Sequence, residues 1–129
     1  IERSPLLGEH TDEILKEAAG RIQQQVRESD TVARIGGDEF AVILPKIAGP
    51  QDAAIVARKI IDALLATFTL SGEKRRQVHI GASIGIAAFP ADGPDMDALL
   101  KVADAAMYRA KQSGNSFSFG AAEESDSLQ

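Results

Sequence analysis

Two adjacent carboxylates follow a pair of glycines in the stretch R-I-G-G-D-E-F-A-V-I-L, residues 34–44. Glycine permits positive φ and lets a ligand approach the backbone closely, because it has no Cβ. Amides at Gly36 and Gly37 can face phosphate oxygens, while Asp38 and Glu39 can ligate Mg²⁺ or accept a proton from a hydroxyl group. A plain Gly-Gly turn with solvated acids explains the same residues, since such turns are common. Local chemistry alone leaves both interpretations open.

The residues around this stretch predict three helices that alternate with short strands. Apolar residues at helical spacing predict helices over residues 12–28, 51–67 and 95–113. Runs of β-branched, aromatic and small residues predict strands over 31–35, 40–44, 78–89 and 117–119, of which the third is expected to be central. The chain is therefore expected to be α+β, with a central, mostly antiparallel sheet flanked by helices.

The third helix shows the pattern of a packed element most fully. Its expected inner face consists of Met96, Leu99, Leu100, Val102, Ala103, Ala106 and Met107. Gly114 is expected to end the helix with a positive φ. We expect one globular domain over residues 1–120, followed by a polar tail over 121–129.

The composition excludes several classes of protein. A chain of 129 residues that is 44% hydrophobic suits one domain with one core. The net charge of −5 argues against a nucleic-acid polymer as partner, because that binding relies on clustered basic residues. No cysteine is present, so disulfides and thiolate metal sites are excluded. No apolar run approaches the roughly 20 residues that span a bilayer. We therefore expect no direct membrane contact and a cytoplasmic location, either alone or as the cytoplasmic part of a larger membrane-tethered protein.

Four motifs occur in the order typical of one family. They are E-S-D-T-V-A-R (28–34), A-R-I-G-G-D-E-F-A-V-I-L-P (33–45), A-S-I-G-I-A (82–87) and L-L-K-V-A-D-A-A-M-Y-R-A-K-Q-S-G-N (99–115). On these residues the chain resembles the GGDEF family, the diguanylate cyclases, from about residue 12 to residue 119. The resemblance implies the palm-like fold of nucleotidyl cyclases.

The resemblance also implies a reaction and a set of roles. The family condenses two GTP into cyclic di-GMP and releases two pyrophosphates. Gly36 and Gly37 are then expected near the ribose and α-phosphate of GTP. Asp38 is expected to activate the 3′-hydroxyl, and Glu39 to bind Mg²⁺ or Mn²⁺. Each domain holds one GTP, so catalysis is expected in a homodimer.

Two further residues match substrate contacts of the family. Lys111 resembles the lysine that contacts the terminal phosphates, and it is equally a lysine favoured by the dipole at a helix C-terminus. Asp12 resembles the acid that hydrogen-bonds the guanine edge, and it is equally a helix N-cap. Both interpretations of each residue stay open.

A second site is expected for the product. Arg27 and Asp30 form an R-x-x-D pattern six residues before Gly36, which in the family marks the feedback-inhibition site for cyclic di-GMP. The planar guanidinium suits phosphate and guanine edges. Arg58 is expected to support this site from the next helix. The alternative is a solvated helix end with a local Arg–Asp pair.

The chain also departs from the family pattern. Complete family domains begin with a helix and a strand whose aspartate shares the metal with the motif glutamate, and this strand does not occur in residues 1–129. The segment S-P-L-L-G-E-H-T-D lacks the usual asparagine contact to guanine, for which Ser4 is a poor substitute. A G-R-N triplet after the lysine is reduced to Gly114-Asn115. A catalytically silent domain that binds GTP or cyclic di-GMP as a regulatory module therefore stays the alternative. In either case sensory or phosphodiesterase domains are expected as partners outside this chain.

Overall fold

The computed structural model describes residues 1, 11–36, 38–70 and 76–120. The three helices along these residues are α1 (Thr11–Gln24), α2 (Pro50–Leu65) and α3 (Met96–Ser113). The strands are β1 (Thr31–Gly36), β2 (Glu39–Ile43), β3 (Phe68–Leu70), β4 (Arg76–Val78), β5 (Ile84–Ile86) and β6 (Phe117–Phe119). The predicted tail over 121–129 and the segment over 71–75 lie outside the described residues. The three predicted helices are confirmed.

The core lies between α1, α2 and the strands that follow α2. Its buried members are Ile14, Ala18, Ile22, Ile60, Ile61, Leu64, Phe68, Leu70, Ile80 and Ala82. Fully burying one large apolar side chain contributes about 1.5–3 kcal/mol, so this cluster is the main source of stability. Helix α1 ends four residues earlier than predicted. Its chain then tightens into a turn, in which the N–H groups of Gln25 and Val26 donate to the carbonyls of Ile22 and Gln23.

Arg21 fastens α1 to the C-terminus of α2. Its Nη1 donates to the carbonyls of Ala63 (2.9 Å) and Ala66 (2.6 Å), and its Nη2 donates to the carbonyl of Thr67 (2.8 Å). The guanidinium also lies 3.6 Å from the ring centroid of the buried Phe68. One side chain therefore satisfies carbonyls that a helix end leaves without intrahelical partners.

The strands form three two-stranded pairs within the described residues. The pairs β1–β2 and β3–β4 are antiparallel, and β5–β6 is parallel. The predicted α+β class with mostly antiparallel strands flanked by helices is confirmed. The prediction of one central sheet was wrong for the described residues, where the strands form three separate pairs.

The prediction of one long strand over residues 78–89 was wrong. The chain forms β4 up to Val78 and resumes regular pairing only at Ile84. Between them, the N–H of Ala82 donates to the side-chain Oδ1 of Asn115 (3.0 Å) instead of to a neighbouring strand. Beyond β5, the chain turns because the carboxylate of Asp92 accepts the N–H of Ala88 (2.7 Å).

Helix α3 packs through its small residues. Ala106 and Ala110 are buried, and a Cβ added to Gly85 of β5 would lie 1.8 Å from the carbonyl oxygen of Ala103. The predicted inner face was wrong at Met96 and Leu100, which are 50% and 38% exposed. Such a close approach of helix and strand leaves room for alanine, and the larger side chains turn outward.

Both ends of α3 are capped, and the predicted glycine cap at the C-terminal end is confirmed. The Asp95 carboxylate accepts the N–H of Ala98 (2.9 Å), and Gly114 ends the helix with a φ of 70°. The N–H of Gly114 donates to the carbonyl of Ala110 (3.1 Å). Among the helices of the described residues, none has the length and apolar character that crossing a membrane requires.

Candidate active site

The glycine turn of the β1–β2 hairpin leaves its backbone open. Gly36 lies opposite Glu39 in the register, and the pairing shifts between Arg34 and Gly36. Gly36 adopts a φ of 155°, and among the described residues, its chain neighbours aside, no heavy atom lies within 4 Å of where its Cβ would be. A side chain is therefore disfavoured by the backbone conformation, while the space beside the turn is free for another group. Gly37 lies outside the described residues.

The two motif acids stand at the start of β2. Asp38 and Glu39 are both half-buried, and Glu39 is the first residue of the strand. The carbonyl of Asp38 accepts a hydrogen bond from the amino group of Ile1 (3.0 Å). Since successive side chains of an extended chain point to opposite sides, two adjacent acids can serve two different partners. This arrangement permits one acid to bind a cation and the other to accept a proton.

Lys111 lies in the last turn of α3, and its side chain is exposed. Its ammonium group has no hydrogen-bond or ion-pair partner among the described residues. It is therefore available for a ligand, and the helix dipole favours a cation at this end.

Asp12 is exposed in the first turn of α1, as the second residue of the helix. Its carboxylate accepts no hydrogen bond from the described residues, so the N-cap interpretation of Asp12 was wrong. A negative charge in the first turn still benefits from the helix dipole. Asp12 and Lys111 form no hydrogen bond or ion pair with the motif acids within the described part of the chain.

Arg27 and Asp30 form a closed turn after α1. The Asp30 carboxylate accepts the backbone N–H of Arg27 (2.8 Å), and the N–H of Asp30 donates to the carbonyl of Arg27 (3.0 Å). The pairing therefore uses the backbone of Arg27. Within the described part of the chain, the Arg27 guanidinium reaches only the carbonyl of Lys46, at 3.5 Å. This geometry leaves the exposed guanidinium available for an anion.

Arg58 points elsewhere in this structure. Its guanidinium carbon lies 5.4 Å from the ring centroid of Phe117 in β6. Within the described residues it makes no hydrogen bond or ion pair to Arg27 or Asp30. The structure therefore does not join the three residues of the expected product site.

The acids of the hairpin suit a magnesium ion that is bound together with a phosphate ligand. Across residues 1, 11–36, 38–70 and 76–120, no group of three or more His, Cys, Asp or Glu side chains is arranged to hold a metal ion. Mg²⁺ is usually bound by one or two carboxylates plus substrate phosphates, so Asp38 and Glu39 beside an open backbone fit that donor set.

Sequence reasoning missed three residues that fix the elements of the site. Asn115 has the positive φ of 46° and bonds across to Ala82. Arg109 donates through Nη2 to the carbonyls of Phe119 (2.7 Å) and Gly120 (3.3 Å). Gly85 permits the contact with α3 described above. Only Asn115 carried a signal in the sequence, since asparagine after a helix-ending glycine tolerates positive φ.

Comparison with known proteins assigns the family. Residues 7–116 match the family described as "Diguanylate cyclase, GGDEF domain". The chain belongs to the GGDEF family, as the motifs predicted.

Named relatives and a solved domain agree with this assignment. The chain is 47% identical over 103 residues to the bifunctional diguanylate cyclase/cyclic di-GMP phosphodiesterase MucR of Pseudomonas aeruginosa, covering 80% of this chain and 14% of MucR. It is 46% identical over 101 residues to the diguanylate cyclase TpbB of the same species, covering 78% of this chain and 23% of TpbB. The crystal structure of the TpbB GGDEF domain superposes with a TM-score of 0.81 at 43% identity, covering 88% of this chain and 70% of that one. The chain thus spans less than a quarter of the length of these two relatives.

Proposed function

We propose that this chain is the catalytic domain of a diguanylate cyclase, which converts two GTP into cyclic di-GMP and two pyrophosphates. The observation that carries the proposal is the hairpin turn in a chain of the GGDEF family. There the open backbone at Gly36 lies next to Asp38 and Glu39.

GTP is proposed to lie between the hairpin and the C-terminal end of α3. Gly36 and Gly37 would face the ribose and the α-phosphate, since the lack of a side chain admits a ligand close to the backbone. Lys111 would bind the terminal phosphates with its exposed ammonium group. Asp12 would accept hydrogen bonds from the N1–H and amino group of guanine.

The residues act mainly by positioning the reactants. Asp38 accepts the proton of the 3′-hydroxyl, and the resulting oxygen attacks the α-phosphorus of the GTP in a facing domain. A new P–O bond forms, and the bond to pyrophosphate breaks. The 3′-hydroxyl of the GTP in the facing domain then attacks the α-phosphorus of the first GTP in the same way, which closes the ring. Both halves of a homodimer therefore contribute. Such phosphoryl chemistry depends on orientation and on neutralised phosphate charge.

Glu39 would hold a Mg²⁺ or Mn²⁺ ion together with the phosphates of GTP. When bound, the ion neutralises phosphate charge. The second carboxylate of this site is proposed to come from a strand that precedes Ile1 in the protein at its natural length. We propose that residues 1–120 then form the remainder of the domain.

Cyclic di-GMP is proposed to inhibit the enzyme through Arg27 and Asp30. The closed turn described above holds the Arg27 backbone and leaves its guanidinium for a phosphate or a guanine edge. Arg58 would have to leave Phe117 to join this site. Sensory or phosphodiesterase domains would adjoin the chain, and the cytoplasm is the proposed location because GTP is supplied there.

The test follows pyrophosphate release from GTP and Mg²⁺ by the protein at its natural length. We expect Asp38→Asn to lower the rate by about 10²–10⁴-fold, the usual contribution of a general base, with GTP affinity unchanged. A variant that keeps more than a tenth of the wild-type rate would contradict the role of Asp38.

A catalytically silent domain is the second candidate. The altered segment between Ser4 and Asp12, which lacks the usual asparagine contact to guanine, favours it. Isothermal calorimetry with GTP and with cyclic di-GMP separates the candidates. Binding that depends on Arg27 and Asp30, without release of pyrophosphate at any protein concentration, would support the silent module.

A further inference from the structure

Asn115 stands at the junction between α3 and β6 in a conformation that few residues adopt. Its φ of 46° makes it the one non-glycine residue with positive φ in the described part of the chain. The preceding residue, Gly114, also has a positive φ, 70°. Two successive residues of this kind reverse the chain directly after the last turn of α3. Asparagine is one of the side chains that tolerate this region of φ.

The side chain of Asn115 satisfies a buried backbone group 33 residues away. Its Oδ1 accepts the N–H of Ala82 at 3.0 Å, and Ala82 is only 3% exposed. A buried N–H that is left unpaired destabilises the folded state, so this bond helps to determine where the junction lies. The chain then continues into pairing with β5, because the carbonyl of Ser116 accepts the N–H of Ile84 (3.0 Å).

The same junction fixes the last turn of α3. The carbonyl of Ala110 accepts both the N–H of Gly114 (3.1 Å) and the hydroxyl of Ser116 (2.9 Å). Lys111 is the residue directly after Ala110. The position of the Lys111 backbone is therefore set by a junction whose long-range anchor is the Asn115–Ala82 hydrogen bond.

We propose that Asn115 is a positioning residue that holds Lys111 against the terminal phosphates and so sets the preference for a nucleoside triphosphate over a monophosphate. This inference rests on the proposed function of Lys111. Asn115 itself does not need to touch the nucleotide. Loss of the hydrogen bond from the Ala82 N–H would let the C-terminal end of α3 move. The displaced Lys111 ammonium group would then lose most of its charge-assisted contact with the phosphates.

The test is a double-mutant cycle on the protein at its natural length, with GTP and GMP affinities measured by calorimetry. Asn115→Gly keeps the positive φ and removes the acceptor, which separates the hydrogen bond from the backbone conformation. Lys111→Met removes the ammonium group. We expect Lys111→Met to weaken GTP binding by about 10–100-fold and to leave GMP binding unchanged. Asn115→Gly should weaken GTP binding by about 3–10-fold, again without effect on GMP.

The double variant decides between positioning and general structural support. If Asn115 acts through Lys111, adding Asn115→Gly to Lys111→Met lowers GTP affinity no further. Additive losses, or equal losses for GTP and GMP, would overturn the inference. Asp95→Ala is the matched control, because it removes the cap at the opposite end of α3 and should leave the ratio of the two affinities unchanged.

Two other outcomes are equally informative. If Lys111→Met leaves GTP binding unchanged, both the proposed role of Lys111 and this inference fail, whereas a normal Lys111 effect without coupling sinks only the inference. If Asn115→Gly does not fold, Asn115→Asp replaces it, since aspartate keeps an acceptor oxygen and tolerates positive φ. That variant should keep the GTP preference within about threefold, and a loss as large as that of Lys111→Met would contradict the proposal.

Discussion

The β1–β2 hairpin and the unit formed by α3, β5 and β6 carry the two sides of the proposed GTP site, and they are held in different ways. The hairpin is held by its own strand ladder and by Val32, Phe40 and Val42, which pack against the core, while most of β1 is exposed. The α3 unit is fixed by side chains that hydrogen-bond to backbone groups of the unit and of Ala82, namely Asp95, Arg109, Asn115 and Ser116. The hairpin thus exposes much of its first strand, whereas the α3 unit is held in place by hydrogen bonds from its side chains.

Because of this difference, we expect mutations in the two regions to have different consequences. Changes to Glu39 remove a hairpin carboxylate that the fold is not expected to need, so they should alter chemistry and spare stability. Changes in the α3 unit remove packing or buried hydrogen bonds, so they should alter stability first.

The largest effect is expected for Glu39→Gln in the hairpin. Replacing a metal-binding carboxylate by an amide should lower the rate of cyclic di-GMP formation at least about 1,000-fold, equivalent to about 4 kcal/mol. The melting temperature should stay within about 2 °C of the wild-type value, which corresponds to a change below about 0.5 kcal/mol. Chromatographic quantification of the product and thermal unfolding measure the two quantities.

Glu28→Gln is the matched control, because Glu28 is an exposed acid on the loop before β1. It should change neither quantity. A large loss of stability in Glu39→Gln would show that the hairpin acid supports the fold, and would remove the contrast between the regions.

The next largest effect is expected for Gly85→Ala in the α3 unit. The added methyl group would meet the backbone of Ala103 at 1.8 Å and that of Met107 at 2.5 Å, and backbone cannot turn aside as a flexible side chain can. We expect the free energy of unfolding to fall by about 3 kcal/mol or more. Urea denaturation followed by circular dichroism measures this change.

Gly20→Ala provides the comparison on α1. No heavy atom lies within 4 Å of the Cβ position at Gly20, and alanine is the better helix former by about 1 kcal/mol. This variant should be as stable as the wild type or more so. Equal effects at both glycines would mean that α3 and β5 do not approach as closely as described.

The smallest effect is expected for Asp95→Ala at the start of α3. Loss of the bond from the Ala98 N–H should lower the free energy of unfolding by about 1 kcal/mol. Asp104→Ala is the control, since Asp104 is an exposed acid in the same helix. The same urea titration should show no more than about 0.5 kcal/mol for Asp104→Ala. If the two variants lose equal stability, the cap at Asp95 does not contribute as proposed.

Local patterns accounted for much of the fold. The glycine pair between two β-branched runs predicted the hairpin, and helical spacing predicted all three helices to within a few residues. The family assignment also followed from sequence, because four motifs stand in the order that the family requires.

The remaining features depend on groups far apart in the chain. The strand over 78–89 was mispredicted because the N–H of Ala82 is satisfied by Asn115, which no local pattern around Ala82 reveals. Met96 and Leu100 are exposed although helical periodicity placed them on the inner face, and the close contact of Gly85 with Ala103 and Met107 is likewise not encoded by that periodicity. Arg21 likewise donates to three carbonyls at the end of α2 that lie more than 40 residues away in the sequence.

The central claim is that the hairpin acids and Lys111 act together on GTP to make cyclic di-GMP. The most direct test is the identity and ratio of the products formed from GTP and Mg²⁺ by the protein at its natural length, determined by mass spectrometry and a pyrophosphate assay. We expect cyclic di-GMP as the product, with two pyrophosphates released for each molecule of cyclic di-GMP formed. Release of inorganic phosphate with GDP, or no product from a folded dimer that binds GTP, would contradict it.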